Sequence, residues 1–272
     1  MTDGNGHVAD RVAELIARLD SLLHGEEAAA RLVACGREAI EPLRRFLLES
    51  PIRSVASPRC WAVQALAGLG AKDVLLEYLS RDATTHDPAL RLAEEAVQRA
   101  AALAVTEWRT DDVFDALLML TMRRPIAGVL EALGRFEKRD AVPVLLHALE
   151  DDCCRPFAEA ALARTADRDR DLLIRSALVQ RPAPTEESES SLRRRRASLA
   201  LMRDVRLSAD ACDRIAALVD AADIELAVAA AALCVKWGAP AIREHAQQRL
   251  WQLVPTVPWH LHYDIRQLLL RR

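Results

Sequence analysis

Arg193, Arg194, Arg195 and Arg196 form an unbroken run of fixed positive charge directly after the acidic, proline-containing stretch Arg181–Ser191. Guanidinium groups grip phosphates and carboxylates through paired N–H donors, so such a run could contact a phosphate or an acidic partner. The run opens a helix-like segment that continues through Ala197, Leu199, Ala200 and Met202. Four successive residues point to all sides of a helix, so at most two can face one ligand. The competing reading is a solvated helix end tethered by Glu186, Glu187 and Glu189.

Three other groupings could carry chemistry. His260-Leu261-His262, flanked by Trp259 and Tyr263, suggests a metal site. Histidines two apart on a helix diverge by about 200°, and no Cys or carboxylate set nearby completes a tetrahedron. Cys153-Cys154 makes a poor chelate and reads as packing. Gly68-Leu69-Gly70-Ala71-Lys72 lacks the spacing and the Lys-Ser/Thr end of a phosphate-binding loop, and reads as a helix-to-helix turn. No nucleophile elbow and no HExxH motif occurs. No catalytic residue is assigned, and no metal or cofactor is expected.

The elements that would position these residues are helices. The 272 residues are 51% hydrophobic but only 4% aromatic, with 9 glycines and 12 prolines, and alanine, leucine, arginine and glutamate dominate. These residues lose little rotamer freedom in a helix, and almost no stretch alternates as a strand does. A net charge of −3 gives no general attraction to nucleic acid or anionic membrane. The N-terminus lacks a secretory pattern and no long uncharged apolar stretch occurs, so a reduced, cytoplasmic, membrane-free setting is expected.

Helix pairs recur along the chain. In Gly128–Arg164 one helix ends in a short turn, and a second begins near Asp140 with Val142, Leu145, Leu146 and Leu149 on one face. An Asp-containing link then leads to a third helix. Pro143 and Pro156 fall in first turns, where the missing N–H costs nothing. Gly36, Gly70 and Gly238 read as residues that close helices. Each precedes by four positions the first core residue of the next helix, namely Ile40, Val74 and Ile242. Leu32 and Leu66 occupy equivalent places 34 residues apart, a spacing that suits an array of helical pairs. A first helix over Val8–Leu23 carries Val8, Val12, Leu15, Ile16, Leu19 and Leu22 on one stripe. Trp61 and Trp237 read as core anchors, and Trp251 and Trp259 as staples for a terminal helix.

Asp87-Pro88-Ala89-Leu90-Arg91 and Asp151-Asp152-Cys153-Cys154-Arg155 each lead into an alanine-rich helix, with Ser57-Pro58-Arg59 as a partial copy. In these links the chain resembles the HEAT-repeat family, particularly its short bacterial form (phycobilin-lyase-type repeats), over most of residues 25–254. The resemblance implies an all-α, right-handed α-solenoid of about six to seven helical pairs. The expected layout is a capping helix over 1–24, repeats over 25–180 and 192–254, an exposed mobile insertion over 181–191, and a capping helix over 255–272.

In that family the link Asp and Arg form a ladder between repeats, and the Arg-bearing helices line a concave face suited to an extended protein segment. The resemblance therefore implies partner contacts at Arg59, Arg91, Arg124, Arg155 and Arg194, with Glu94, Glu131 and Glu159 between them. The expected role is an interaction scaffold or adaptor, or an inhibitor of the immunity type that masks one partner. The enzymatic alternative comes from the same resemblance, because HEAT-like DNA glycosylases and phycobilin lyases share these repeats. In the glycosylases, aromatic residues cradle a damaged nucleotide and an Asp assists bond cleavage, which points to Trp108 and Asp112 as a nucleic-acid site. Asp111 or Asp112 also fits as the N-cap of a helix holding Val113, Phe114, Leu117 and Leu118. The net negative charge disfavours duplex binding, so another protein is the expected partner.

Overall fold

A computed structural model describes residues 3–81, 85–181 and 187–270. Among them there are sixteen α-helices, three short 3-10 turns and no strand. The chain forms two compact units, Met1–Phe136 and Glu137–Arg272.

The first unit holds α1 (Asp3–Arg18), α2 (Gly25–Ala34), α3 (Ile40–Glu49), α4 (Ser57–Gly68), α5 (Lys72–Ser80), α6 (Pro88–Val105), α7 (Asp111–Arg123) and α8 (Ala127–Gly134). Sequence neighbours pack as pairs, while α2, α4, α6 and α8 pack in succession and so do α1, α3, α5 and α7. Leu32 on α2 and Leu66 on α4, the pair 34 residues apart, are both fully buried. The second unit holds α9 (Val142–Ala148), α10 (Arg155–Ala163), α11 (Arg170–Leu178), α12 (Glu189–Ala200), α13 (Ala209–Ala216), α14 (Ile224–Trp237), α15 (Pro240–Leu253) and α16 (Trp259–Leu270). There α11, α13 and α15 pack in succession, as do α12, α14 and α16. Its core runs from Leu173 through Leu199, Ile215 and Leu233 to Ile265.

Local chemistry sets the helix ends. Asp87 caps α6, its carboxylate accepting from the Ala89 and Leu90 amides at 2.8 and 3.3 Å. Asp151 accepts from the Cys153 and Cys154 amides at 2.9 Å each, fixing the turn that leads into α10. Such contacts satisfy amides that have no intrahelical partner. Pro143 and Pro156 sit in first turns, as expected. Gly36 and Gly70 close α2 and α4 at φ +72° and +71°, a region that L side chains rarely adopt. A Cβ there would meet nothing within 4 Å, so Gly36→Ala and Gly70→Ala isolate backbone strain. Each is expected to cost about 1–2 kcal/mol in urea unfolding, and a loss below about 0.3 kcal/mol would contradict this. Gly238 also closes its helix, α14, but with an extended backbone at φ −71° and ψ 158°. It is needed for space, since a Cβ would fall 2.5 Å from the Cys234 carbonyl oxygen.

Several boundaries differ from the sequence reading. The helix expected over Val8–Leu23 ends at Arg18. Val12, Leu15 and Leu19 are buried as expected, but Leu22 leaves the stripe and is exposed, as is Leu23 after it. Of the insertion expected over 181–191, positions 182–186 lie outside the described residues. Ser188 caps α12 and Ser191 is fully buried, its hydroxyl donating to Glu187 at 2.6 Å and accepting from the Arg181 amide at 3.2 Å. The 187–191 end is thus an ordered helix start rather than an exposed tether. Trp251 and Trp259 do not staple the terminal helix. Ile265, Leu268 and Leu269 pack α16 onto the core, while both indoles stay exposed.

Candidate functional site

The arginines singled out by the sequence separate into two sets with opposite environments. Arg59 on α4 is buried, and its guanidinium donates to Glu94 of α6 and, at 2.7 Å, to the Leu47 carbonyl at the end of α3. The Tyr78 hydroxyl donates to the other Glu94 oxygen at 2.6 Å, and the Arg59 charge lies 5.3 Å from the Tyr78 ring centre. Burial, and then the Glu94 charge, push the Tyr78 phenol well above its ordinary pKa. Arg59, Glu94 and Tyr78 thus form one closed polar cluster. Arg59 and Glu94 therefore correct the expected contact set, because their polar ends face each other and not solvent. A buried ion pair demands that arrangement, since either charge alone would be stranded in a poor solvent.

The arginine run is not a solvated end: Arg194 and Arg195 are buried, and Arg193 and Arg196 are only partly exposed. Arg194 is buried and donates to Glu150 at 2.9 Å, to the Ser176 carbonyl at 2.6 Å and to the Val179 carbonyl at 2.7 Å. Arg195 is also buried, bound to Glu187 and to the Ala177 carbonyl. Arg193 reaches the Glu150 carbonyl and Asp152, and Arg196 grips the α14 cap Asp223 with both arms. Burial pushes the Asp223 carboxyl up, but Arg196 and the Leu226 amide outweigh it and hold the pKa low. All sides of α12 are occupied, as four successive residues require, but each side meets protein.

A common device underlies these contacts. The last carbonyls of a helix have no intrahelical donor, and here side-chain cations supply one from a neighbouring element. Arg123 reaches the Leu79 and Ser80 carbonyls, Arg81 the Leu48 carbonyl, and Lys236 the Arg203 carbonyl. Sequence reasoning named Glu187 as a tether of the run but missed the acceptors Glu150, Ser176 and Asp223, and also Tyr78 and Lys72. No common spacing marks those residues, although a separate set of ties, Arg44–Glu77, Arg53–Asp20, Arg81–Leu48 and Lys236–Arg203, all span 33 positions.

The remaining residues of the expected contact set lie nearer the surface. Arg91 is exposed on α6, next to Leu92, which is 65% exposed. Arg124 donates to Gln98 at 2.9 Å and lies 3.8 Å from Glu95. Glu131 on α8 lies 3.9 Å from Arg99 of α6 and 3.2 Å from Arg135. Arg124, Glu95, Arg99 and Glu131 thus build a half-exposed charged ladder along α6 toward α8. Gly128 lets the two helices approach there, since a Cβ would lie 2.1 Å from Arg99 Cγ. In the second unit, half-buried Arg155 pairs within its own helix start, at 3.2 Å to Asp152 and 3.9 Å to Glu159.

Trp108 and Asp112 acquire a different context. Trp108 is half-buried in a 3-10 turn, and Arg109 after it takes a left-handed backbone (φ 45°). The N-cap of α7 is Thr110, so Asp112 falls in the first turn instead of capping. Its carboxylate accepts from Lys72 Nζ at 2.7 Å. Lys72, and next the Thr110 hydroxyl, hold Asp112 down to about pKa 2. A carboxylate so stabilised as an anion is a poor proton acceptor at neutral pH. Lys72→Met is expected to raise the Asp112 midpoint in a carboxyl NMR titration, short of the free value because the Thr110 hydroxyl remains, and an unmoved midpoint would contradict the assignment. Because the folded pKa is depressed, this tie is present above about pH 4 and is lost as pH falls toward 2.

Among the described residues no group of three or more His, Cys, Asp or Glu is placed to hold a metal ion. His260 and His262 do not converge on a shared site, and His260 lies instead 3.7 Å from Glu225. No described helix is long and apolar enough to cross a membrane. Comparison with protein-family models gives no match, and comparison with curated proteins gives no relative.

Proposed function

We propose that the chain is a HEAT-like helical-repeat protein that acts as an interaction scaffold or as an inhibitor masking one protein partner. Two rows of helices, tied at a recurring separation of 33 positions, support the repeat reading. The observation that carries the interaction reading is on α6, the longest helix. Its inner face is buried through Ala93, Val97 and Ala101, while Arg91 and Leu92 stand exposed beside the charged ladder to α8. An apolar side chain inside a polar, arginine-bearing rim is the usual anatomy of a protein-binding patch. Arg91, Arg124 and Glu131 are the contacts assigned to it in the first unit.

Tagged capture from native lysate, with and without nuclease, tests this reading. One stoichiometric protein that survives nuclease treatment is the expected result. Recovery of nucleic acid alone, or of no macromolecule, would overturn it.

A further inference from the structure

A cavity of 260 Å³ opens in the second unit between α12, α14 and α16, lined by none of the residues of the expected contact set. Its walls are apolar and shaped by small residues: Ala229 and Ala232 on the outward side of α14, with Leu199, Leu233 and Leu268 around them. Ala229 and Ala232 are only half-buried, so the hollow is accessible. The volume falls just below the roughly 300 Å³ at which small-molecule pockets usually begin, which restricts any occupant to a short chain.

The rim is polar and carries more positive than negative charge. Arg203 and Lys236 are exposed at it, against the single carboxylate of Asp204. Lys236 Nζ donates to the Arg203 carbonyl at 2.7 Å and stands 3.5 Å from Asp204. An ammonium has three donors, and these contacts use two. A fixed ammonium above an apolar hollow matches a molecule with an anionic head and a short hydrocarbon tail. We infer that this cavity is a binding site for a short- to medium-chain aliphatic carboxylate. The tail occupies the alanine-lined hollow and the carboxylate accepts from Lys236. The inference stands independently of the scaffold reading.

The test is a titration of the full chain with sodium octanoate, followed by methyl NMR of leucine-labelled protein, with 1-octanol as the uncharged comparison. Saturable shifts are expected at the Leu199, Leu233 and Leu268 methyls. Ala232→Trp fills the hollow and should abolish them, and Ala229→Leu, a milder filling, should weaken both ligands without disturbing the fold. Lys236→Gln keeps a donor for the Arg203 carbonyl but removes the charge. It should weaken octanoate about two- to fivefold, the scale of an exposed charge pair, and leave octanol unchanged. Shifts centred on other methyls, no saturable shift, or wild-type binding by folded Ala229→Leu or Ala232→Trp protein would overturn the site. Equal weakening of octanoate and octanol by Lys236→Gln would overturn the role of the charge.

Discussion

Arg59→Met is expected to destabilise the first unit by about 3–5 kcal/mol, because it leaves the Glu94 carboxylate buried without its counter-charge. Glu94 is 1% exposed, and it also accepts from the Tyr78 hydroxyl, which is itself buried. The Leu47 carbonyl also loses its donor, at a cost within the 1–3 kcal/mol range for an unsatisfied buried group. The cause is a stranded charge and not lost volume, so apolar replacement of the whole cluster should behave differently. Arg59→Met combined with Glu94→Leu and Tyr78→Phe is expected to recover most of the loss, since well-packed apolar groups often replace a buried ion pair without penalty. Urea unfolding of the single and triple variants reads both effects. A triple variant no more stable than Arg59→Met would show that packing, not charge, is what Arg59 supplies.

Arg194→Met is expected to be comparably damaging to the second unit, by about 3–5 kcal/mol. Its partner Glu150 is nearly as buried, with side-chain exposures of 7% and 10% for the pair. The substitution also leaves the Ser176 and Val179 carbonyls, at and beyond the end of α11, without their donor. Glu150 keeps Arg181 at 2.8 Å, so the loss should sit near the lower end of that range. Arg193→Met, by contrast, removes a 27%-exposed side chain whose ion pairs are 3.3 Å or longer. It should cost less than about 1 kcal/mol. Equal losses at the two positions would contradict the division of the run into buried and surface members.

That division explains what the sequence could and could not reveal. The helical class, the glycine ends at Gly36 and Gly70, the Asp87 cap and the Asp151 turn are local features, fixed by residues within a few positions of one another, and they were legible. So was the equivalence of Leu32 and Leu66. The fate of each arginine was not. Arg59 and Arg91 hold similar places in the link motif, yet Arg59 is buried because Tyr78, Glu94 and the end of α3 converge on it. Those partners lie 12 to 35 positions away, so no short motif encodes them. Glu94 is three positions from Arg91 but pairs with Arg59 of the preceding row helix. For the same reason a run of four arginines read as surface charge, because its acceptors are distant carboxylates such as Glu150 and Asp223 together with backbone carbonyls that leave no compositional trace. Leu22 failed for the opposite reason. Its periodicity continues past Arg18, where the backbone has already left the helix.

The most direct measurement of the account is capture of the protein partner by a chain carrying Arg91→Glu and Leu92→Glu, with thermal melting recorded alongside. Both side chains are exposed on α6, so melting should stay within the small range typical of surface substitutions, about 0.5 kcal/mol. Capture should fall at least tenfold, since an anchor and a rim charge are lost together. Capture at the wild-type level by a chain that still melts normally would contradict the placement of the recognition face on α6.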